Sequence, residues 1–403
     1  MTDHSHDHGL SRRRLLQAGI AAAPLMFAPA AFGQTRPGER ERILVILEMS
    51  GGNDGLNTVI PYGDDAYYRH RPKIGIRPEK VRKLDDHYGL SEGMVGFEKL
   101  YKDGHVAIVH GAGYADPSFS HFTSMAYWHT AAPNSGEQYG WVGRLADQMA
   151  PAAPANFLIN IGATQSLAVR AHNHVPVVFD NPDNFTREMF FEERDALHAA
   201  PESGKVVNSA QAYLRDIARS ANESSALVRK AWSDYRSPVD YGVTDLGLRR
   251  VAAMIGAGLP ARLYYTAYAN NAFDTHVTQN DLQPRLLTYT SDAVSAFMQD
   301  MQRLGRADDV TLMVFSEFGR RVPENTSLGT DHGAANAMFV VGKKVKGGHY
   351  GERPSLTKLD AGDNLLFTTD FRRVYGTMAQ NWLGQPATPK LLNGTFQPFD
   401  MIA

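Results

Sequence analysis

Four apolar runs along this chain each break off into a loop that carries chemistry. Residues 43–47, Ile-Leu-Val-Ile-Leu, are continuously apolar, as expected of a central strand covered on both faces. They run into Gly51-Gly52-Asn53-Asp54-Gly55-Leu56-Asn57, a loop in which the backbone can approach a ligand closely. Residues 105–110 form a second such run, ending at Gly111-Ala112-Gly113 and followed by Asp116-Pro117-Ser118-Phe119-Ser120-His121. A third, residues 261–269, precedes Phe273-Asp274-Thr275-His276. The fourth, residues 310–315, ends in Ser316-Glu317-Phe318-Gly319-Arg320, with Gly329-Thr330-Asp331-His332-Gly333 close behind.

Between these runs the period changes to that of helices. Residues 95–102, the segment continuing through 125–128, residues 247–256 and residues 286–303 read as helices, and 156–170 and 175–179 as further strands or turns. Residues 186–249 are charged and alternate at helical period, which predicts an insertion of two or three surface helices. Strands alternating with helices predict an α/β fold: a mostly parallel sheet with helices on both faces, its chemistry at the strands' C-terminal ends. Neither a repeat nor a linker marks a second domain, so residues 34–403 are expected to form one.

Composition narrows the chemistry. A net charge of −2 gives no electrostatic case for nucleic acid or an anionic membrane as partner. With no cysteine, any metal must be held by oxygen and nitrogen. Ser11-Arg12-Arg13-Arg14 precedes an apolar stretch, residues 18–27, and then small residues. This pattern predicts a signal peptide over residues 1–33 of the twin-arginine (Tat) type, hence the Tat machinery as partner and a periplasmic or secreted protein. The stretch is short for a membrane span, so no stable anchor is expected.

Asp274 with His276, and Asp331 with His332, each pair a hard oxygen with an imidazole nitrogen within one turn, a ligand set suited to Zn²⁺ or Mn²⁺. Ser118 and Ser120 sit where a helix should begin. That position suits a cap and, equally, a hydroxyl presented to an anion beside free N–H groups. Arg320 reads either as a bidentate clamp on anionic oxygens or as a plain ion pair.

Taken in order, the Gly51–Thr58 segment with Pro61-Tyr62, Ser120-His121-Phe122, Asp274-Thr275-His276, Ser316-Glu317-Phe318-Gly319-Arg320 and Asp331-His332-Gly333 resemble the bacterial family catalogued as domain of unknown function 1501, over residues 42–392. That family is grouped with the alkaline phosphatase and sulfatase superfamily, and Tat-type leaders are usual in it. The resemblance implies a three-layer α/β/α sandwich around one or two divalent ions (Zn, Mn or Ca). It implies Asp54 as the first-strand metal ligand, Ser120 as nucleophile with Ser118 as understudy, and Asp274 with His276 as one metal group. Asp331 and His332 match the other in type. The superfamily's strand-end Asp-His is replaced here by Ser316-Glu317. Either Glu317 is the ligand there and His332 folds back beside it, or that second site is rebuilt or lost. Formylglycine chemistry is excluded, since it needs a cysteine.

The expectation is an exported metal-dependent hydrolase of phosphate or sulfate esters, on a small-molecule or polymeric anionic substrate. His121 would be an acid–base group or an extra ligand. The rival is a secreted binding or assembly protein that keeps the fold without turnover.

Overall fold

The computed structural model describes residues 41–185 and 224–403. The leader expected over residues 1–33 and most of the helical insertion expected around 186–249 lie outside the described residues; within the latter, residues 224–234 are helical.

The strands of the main sheet are β1 (Ile43–Met49), β2 (Val106–Gly113), β3 (Leu158–Ile161), β4 (Val177–Phe179), β5 (Leu263–Tyr268), β6 (Val310–Phe315), β7 (Asn336–Val341), β8 (Gly348–Tyr350) and β9 (Thr369–Asp370). The helices that matter here are α1 (Asp65–His70), α2 (Val95–Lys102), α3 (His121–Thr130), α4 (Trp141–Met149), α5 (Leu248–Gly256), α6 (Gln279–Arg303) and α7 (Arg372–Thr377). The strand order is β8-β2-β7-β6-β1-β5-β3-β4, with β9 pairing β2. β1 lies parallel to both β5 and β6. β7 runs antiparallel to β2 and β6, which leaves β2 pointing the same way as β1.

β1 is buried along its whole length, and its alternate side chains feed two cores. Ile43, Val45, Leu47 and Met49 pack with Phe97 of α2, α5 and α6 on one face. Leu44 and Ile46 pack with Trp128 of α3, Trp141 of α4 and Tyr375 of α7 on the other. A strand buried on both faces is stable only between two helical layers, and that is the three-layer α/β/α arrangement observed.

The topology then gathers the chemical loops. β1, β5, β6 and β2 share a direction, so the loops leaving them open at one edge of the sheet. His332–Gly333, just before antiparallel β7, arrives at the same edge by pairing with Gly319–Arg320. The expected helix over residues 286–303 begins earlier, at Gln279, with Pro284 inside it. Hydrogen bonds from Gln279 and Gln283 to Asp54 and Asn53 hold this extra turn in place.

Candidate metal centre

Each candidate side chain reaches the site through the end of an element. Gly51 and Gly52 turn the chain after β1 with φ of +118° and +71°. A Cβ on Gly51 would lie 2.5 Å from the Asp274 nitrogen, and one on Gly52 would lie 2.0 Å from the Phe318 ring. Only glycine lets the three loops close on one another here.

Asp274, after β5, lies at the centre. Its Oδ1 is 3.0 Å from His276 Nε2 and 3.1 Å from His332 Nε2, and those two nitrogens are 2.9 Å apart. Its Oδ2 is 3.4 Å from His121 Nε2. Ligand atoms of His121, Asp274 and His332 all fall within 4.8 Å of one another, and His276 adjoins them through Asp274 and His332. Arg320 Nη2 donates to Asp274 Oδ1 at 2.7 Å and holds the carboxylate in place. Burial alone would raise the Asp274 carboxyl, but the Arg320 hydrogen bond and charge and the neighbouring imidazoles bring it down to about 2.

The far side of every imidazole is tied to oxygen. His332 Nδ1 is 2.7 Å from the Phe119 carbonyl, His121 Nδ1 is 2.9 Å from Glu317 Oε1, and His276 Nδ1 is 3.4 Å from Asp331 Oδ1. A carbonyl only accepts, so Nδ1 of His332 carries its proton. Burial holds this imidazole below its ordinary pKa, and its Nε2 faces the Asp274 carboxylate. His121 Nε2 is buried and makes no hydrogen bond, since its contact with Asp274 lacks the geometry of one. The hydrogen bond and charge of Glu317, with Asp274, raise the His121 pKa; the same carboxylates favour any other cation facing Nε2. Imidazoles that aim Nε2 inward while oxygen fixes Nδ1 are the usual preparation for metal binding. Ligand atoms about 3 Å apart are close to the roughly 3.3 Å separation that 2.0–2.1 Å bonds set in a tetrahedral site. These residues therefore fit a divalent ion.

Other expected site residues are placed elsewhere. Asp54 is not brought to the cluster. It is 1% exposed, and its carboxylate is taken by Arg71 (Nη1–Oδ2 2.6 Å, Nη2–Oδ1 3.1 Å), Gln279 Nε2 (2.6 Å) and the Leu56 N–H (3.1 Å). Glu317 is fully buried, and its two oxygens accept the Gly51 N–H at 2.8 and 3.1 Å. It faces His121 from behind and is not among the converging atoms. Asp331 stands behind His276 in the same way and is half-exposed. Arg320 is not free to clamp an anion. It is buried and donates to the carbonyls of Gly52 (2.6 Å), Gly51 (2.5 Å), Phe273 (3.1 Å) and Thr330 (2.9 Å), as well as to Asp274. Four backbone carbonyls from three loops leave it a positioning residue.

Ser120 is the N-cap residue of α3, but its side chain makes no cap hydrogen bond and is exposed. The first-turn N–H groups of α3 are thus left without it. Ser118 Oγ instead accepts from the Ser120 N–H at 3.3 Å. Sequence reasoning missed Arg71, Gln279 and Gln283. Gln283 Nε2 donates to Asn53 Oδ1 (3.1 Å) and to the Asp54 carbonyl (2.9 Å). The available signal was the i, i+4 spacing of the two glutamines on one helix face.

A family model described as "Protein of unknown function (DUF1501)" matches residues 41–371. No curated protein matches the chain. Solved structures similar to it include the zinc complex of the C-terminal periplasmic domain of EcEptC from Escherichia coli, at 12% identity over 76% of this chain and 74% of that one, TM-score 0.37. A protein in the alkaline phosphatase superfamily from Vibrio parahaemolyticus matches at 12% identity over 77% and 62%, TM-score 0.35. The sulfatase PsFucS1 from Pseudoalteromonas sp. matches at 10% identity over 90% and 72%, TM-score 0.37. Such identities and scores carry no argument about activity.

Proposed function

The chain belongs to the DUF1501 family, and from its site we propose that it is an exported metal-dependent hydrolase of phosphate or sulfate esters. The observation that carries this reading is the convergence of His121, His276 and His332 on the Asp274 carboxylate, each ring held from behind by an oxygen. In this reading the four residues hold one divalent ion, and a set rich in imidazole favours zinc or manganese over calcium. When bound, such an ion supplies Lewis-acid chemistry, lowering the pKa of a hydroxyl or water beside it and offsetting charge on a transferring group. Ser120, next in sequence to His121, is the nucleophile. The first-turn N–H groups of α3, which its side chain leaves uncapped, receive the anionic oxygens of the ester. Arg320 keeps Asp274 ionised and aimed, while Glu317 and Asp331 orient His121 and His276.

Export through the Tat pathway rests on Arg12-Arg13 ahead of the apolar stretch, and no helix of the described residues is long and apolar enough to cross a membrane. Replacing both arginines by lysine should retain the protein in the cytoplasm; full appearance in the periplasm would refute the Tat assignment.

A second reading, a binding protein without turnover, is favoured by one observation. Asp54 and Glu317 are both consumed by protein partners, which leaves, among the described residues, donors for one ion. Elemental analysis of the mature protein, with a screen of aryl phosphates and sulfates, separates the two. About one ion per chain with ester turnover supports the hydrolase. An ion without turnover of either ester class supports the binding protein.

A further inference from the structure

Eleven large hydrophobic side chains are exposed among the described residues, and four of them rim this site: Phe119 (38% exposed), Phe122 (91%), Val277 (58%) and Leu328 (39%). Their backbones are tied to the residues that form the cluster. The Phe119 carbonyl is the acceptor for His332 Nδ1. Phe122 and Val277 directly follow His121 and His276.

Leu328 reaches the rim through a clamp between two loops. The Thr278 N–H donates to the Ser327 carbonyl (3.0 Å), the Gln279 N–H to the Leu328 carbonyl (2.8 Å), and Asn325 Nδ2 to the His276 carbonyl (2.9 Å). These bonds hold together the two loops that carry Val277 and Leu328. Leu328 also has φ of +61°, a left-handed conformation that a bulky side chain rarely adopts. Backbone strain of this kind persists where surrounding contacts over-determine it, and it concentrates at ligand sites. Here the strain keeps an apolar side chain at the rim.

We infer that Phe119, Phe122, Val277 and Leu328 form a subsite for the hydrocarbon part of the substrate, which is therefore a monomeric amphiphile: an anionic ester with an apolar chain or ring. The inference rests on the hydrolase reading above. The charge arrangement selects this occupant. The ion that the imidazoles would hold and the uncapped start of α3 suit an anionic group at the centre, and the apolar rim begins one residue away from two of the ring-bearing positions. An ester that fills both parts gains the anion contacts and the burial of its hydrocarbon together.

The test uses zinc-loaded mature protein and a series of non-hydrolysable anions, methylphosphonate to hexylphosphonate, with affinity read by calorimetry so that turnover is not required. Affinity should rise about two- to fourfold per added methylene. That dependence should flatten in Phe122→Ser, whose side chain is almost wholly in solvent, and in Leu328→Asn, which accepts the left-handed backbone. Methylphosphonate and hexylphosphonate binding equally would overturn the subsite and leave the anion centre standing. If neither a phosphonate nor the matching alkylsulfonate of any length binds, the hydrolase reading fails and takes the subsite with it. Phe122-dependent binding to phosphatidylcholine vesicles without a chain-length effect would reassign the rim to a lipid surface. Phe122-dependent dimerisation in sedimentation would reassign it to a second copy of the chain.

Discussion

Helix α3 carries an acid–histidine set at each end, and the two are opposites. At its C-terminal end, His129 Nε2 lies 2.8 Å from Glu48 Oε2, and the Tyr265 hydroxyl donates to the same oxygen while lying 2.9 Å from His129. All three residues are buried, Glu48 on β1, Tyr265 on the adjacent β5 and His129 on α3. Burial pushes the Glu48 carboxyl up, but His129 and the Tyr265 hydroxyl outweigh it and hold the pKa below the ordinary value. Burial, with Glu48 beside it, drives the Tyr265 phenol far above its own. The three converging atoms, Glu48 Oε2, His129 Nε2 and the Tyr265 hydroxyl, are each spent on the others. At the N-terminal end, His121 faces the part-exposed Asp274 with a buried imidazole nitrogen that has no hydrogen bond. Closeness of carboxylate and imidazole is common to both sets. The end that suits a ligand is distinguished by an unspent nitrogen and by part-exposed Asp274 and His276 beside it.

The largest effect should come from breaking the closed set. Glu48→Ala should cost about 3–5 kcal/mol in urea unfolding, because it leaves buried polar partners uncompensated, while the ion content of the folded protein stays the same. A loss of bound ion in the folded variant would show that the two ends are coupled. Asp274→Asn should do the reverse. It should weaken zinc binding by more than about 100-fold, above the range seen for residues that only orient ligands. Unfolding should change far less than in Glu48→Ala, because Asp274 is part-exposed.

A third histidine pair sharpens the contrast. His110, in β2, is buried with its Nε2 2.7 Å from His349 Nδ1. Burial, with His349 adding to it, lowers the His110 pKa to about 3. The unfolded imidazole takes up its proton near pH 6.5 and the folded one only near pH 3, so the unfolded state binds more protons in between. Stability from this group is present in full above about pH 6.5 and is lost as pH falls towards 3. The expected loss between pH 7 and pH 5 is about 2 kcal/mol in urea titrations, and His110→Phe should flatten it. An unchanged slope in that variant would remove His110 as the cause.

The smallest stability effect belongs to Ser120. A capping serine replaced by alanine costs about 1 kcal/mol. Here the hydroxyl makes no cap bond, so Ser120→Ala should shift unfolding by less than about 0.5 kcal/mol. In the hydrolase reading the same change abolishes ester turnover with the ion retained. Normal turnover would return the nucleophile's role to water.

What could be read from the sequence follows a physical line. The apolar runs that became β1, β2, β5 and β6 were legible because a strand buried on both faces needs continuous hydrophobicity, whatever it packs against. The placement of Asp274 and His276 beyond a strand end followed from the same runs, since parallel strands bring their C-terminal loops to one edge, whereas His332 reaches that edge only through its pairing with Arg320. The direction in which each loop side chain points was not legible. Asp54 turns to Arg71, seventeen positions away, and to Gln279, 225 positions away. Arg320 is taken by carbonyls of Gly51, Gly52 and Phe273. Those choices belong to partners that meet only when three loops close on one another. A buried charge goes where its hydrogen bonds can be satisfied, and the sequence alone contains the donors and acceptors without the distances between them.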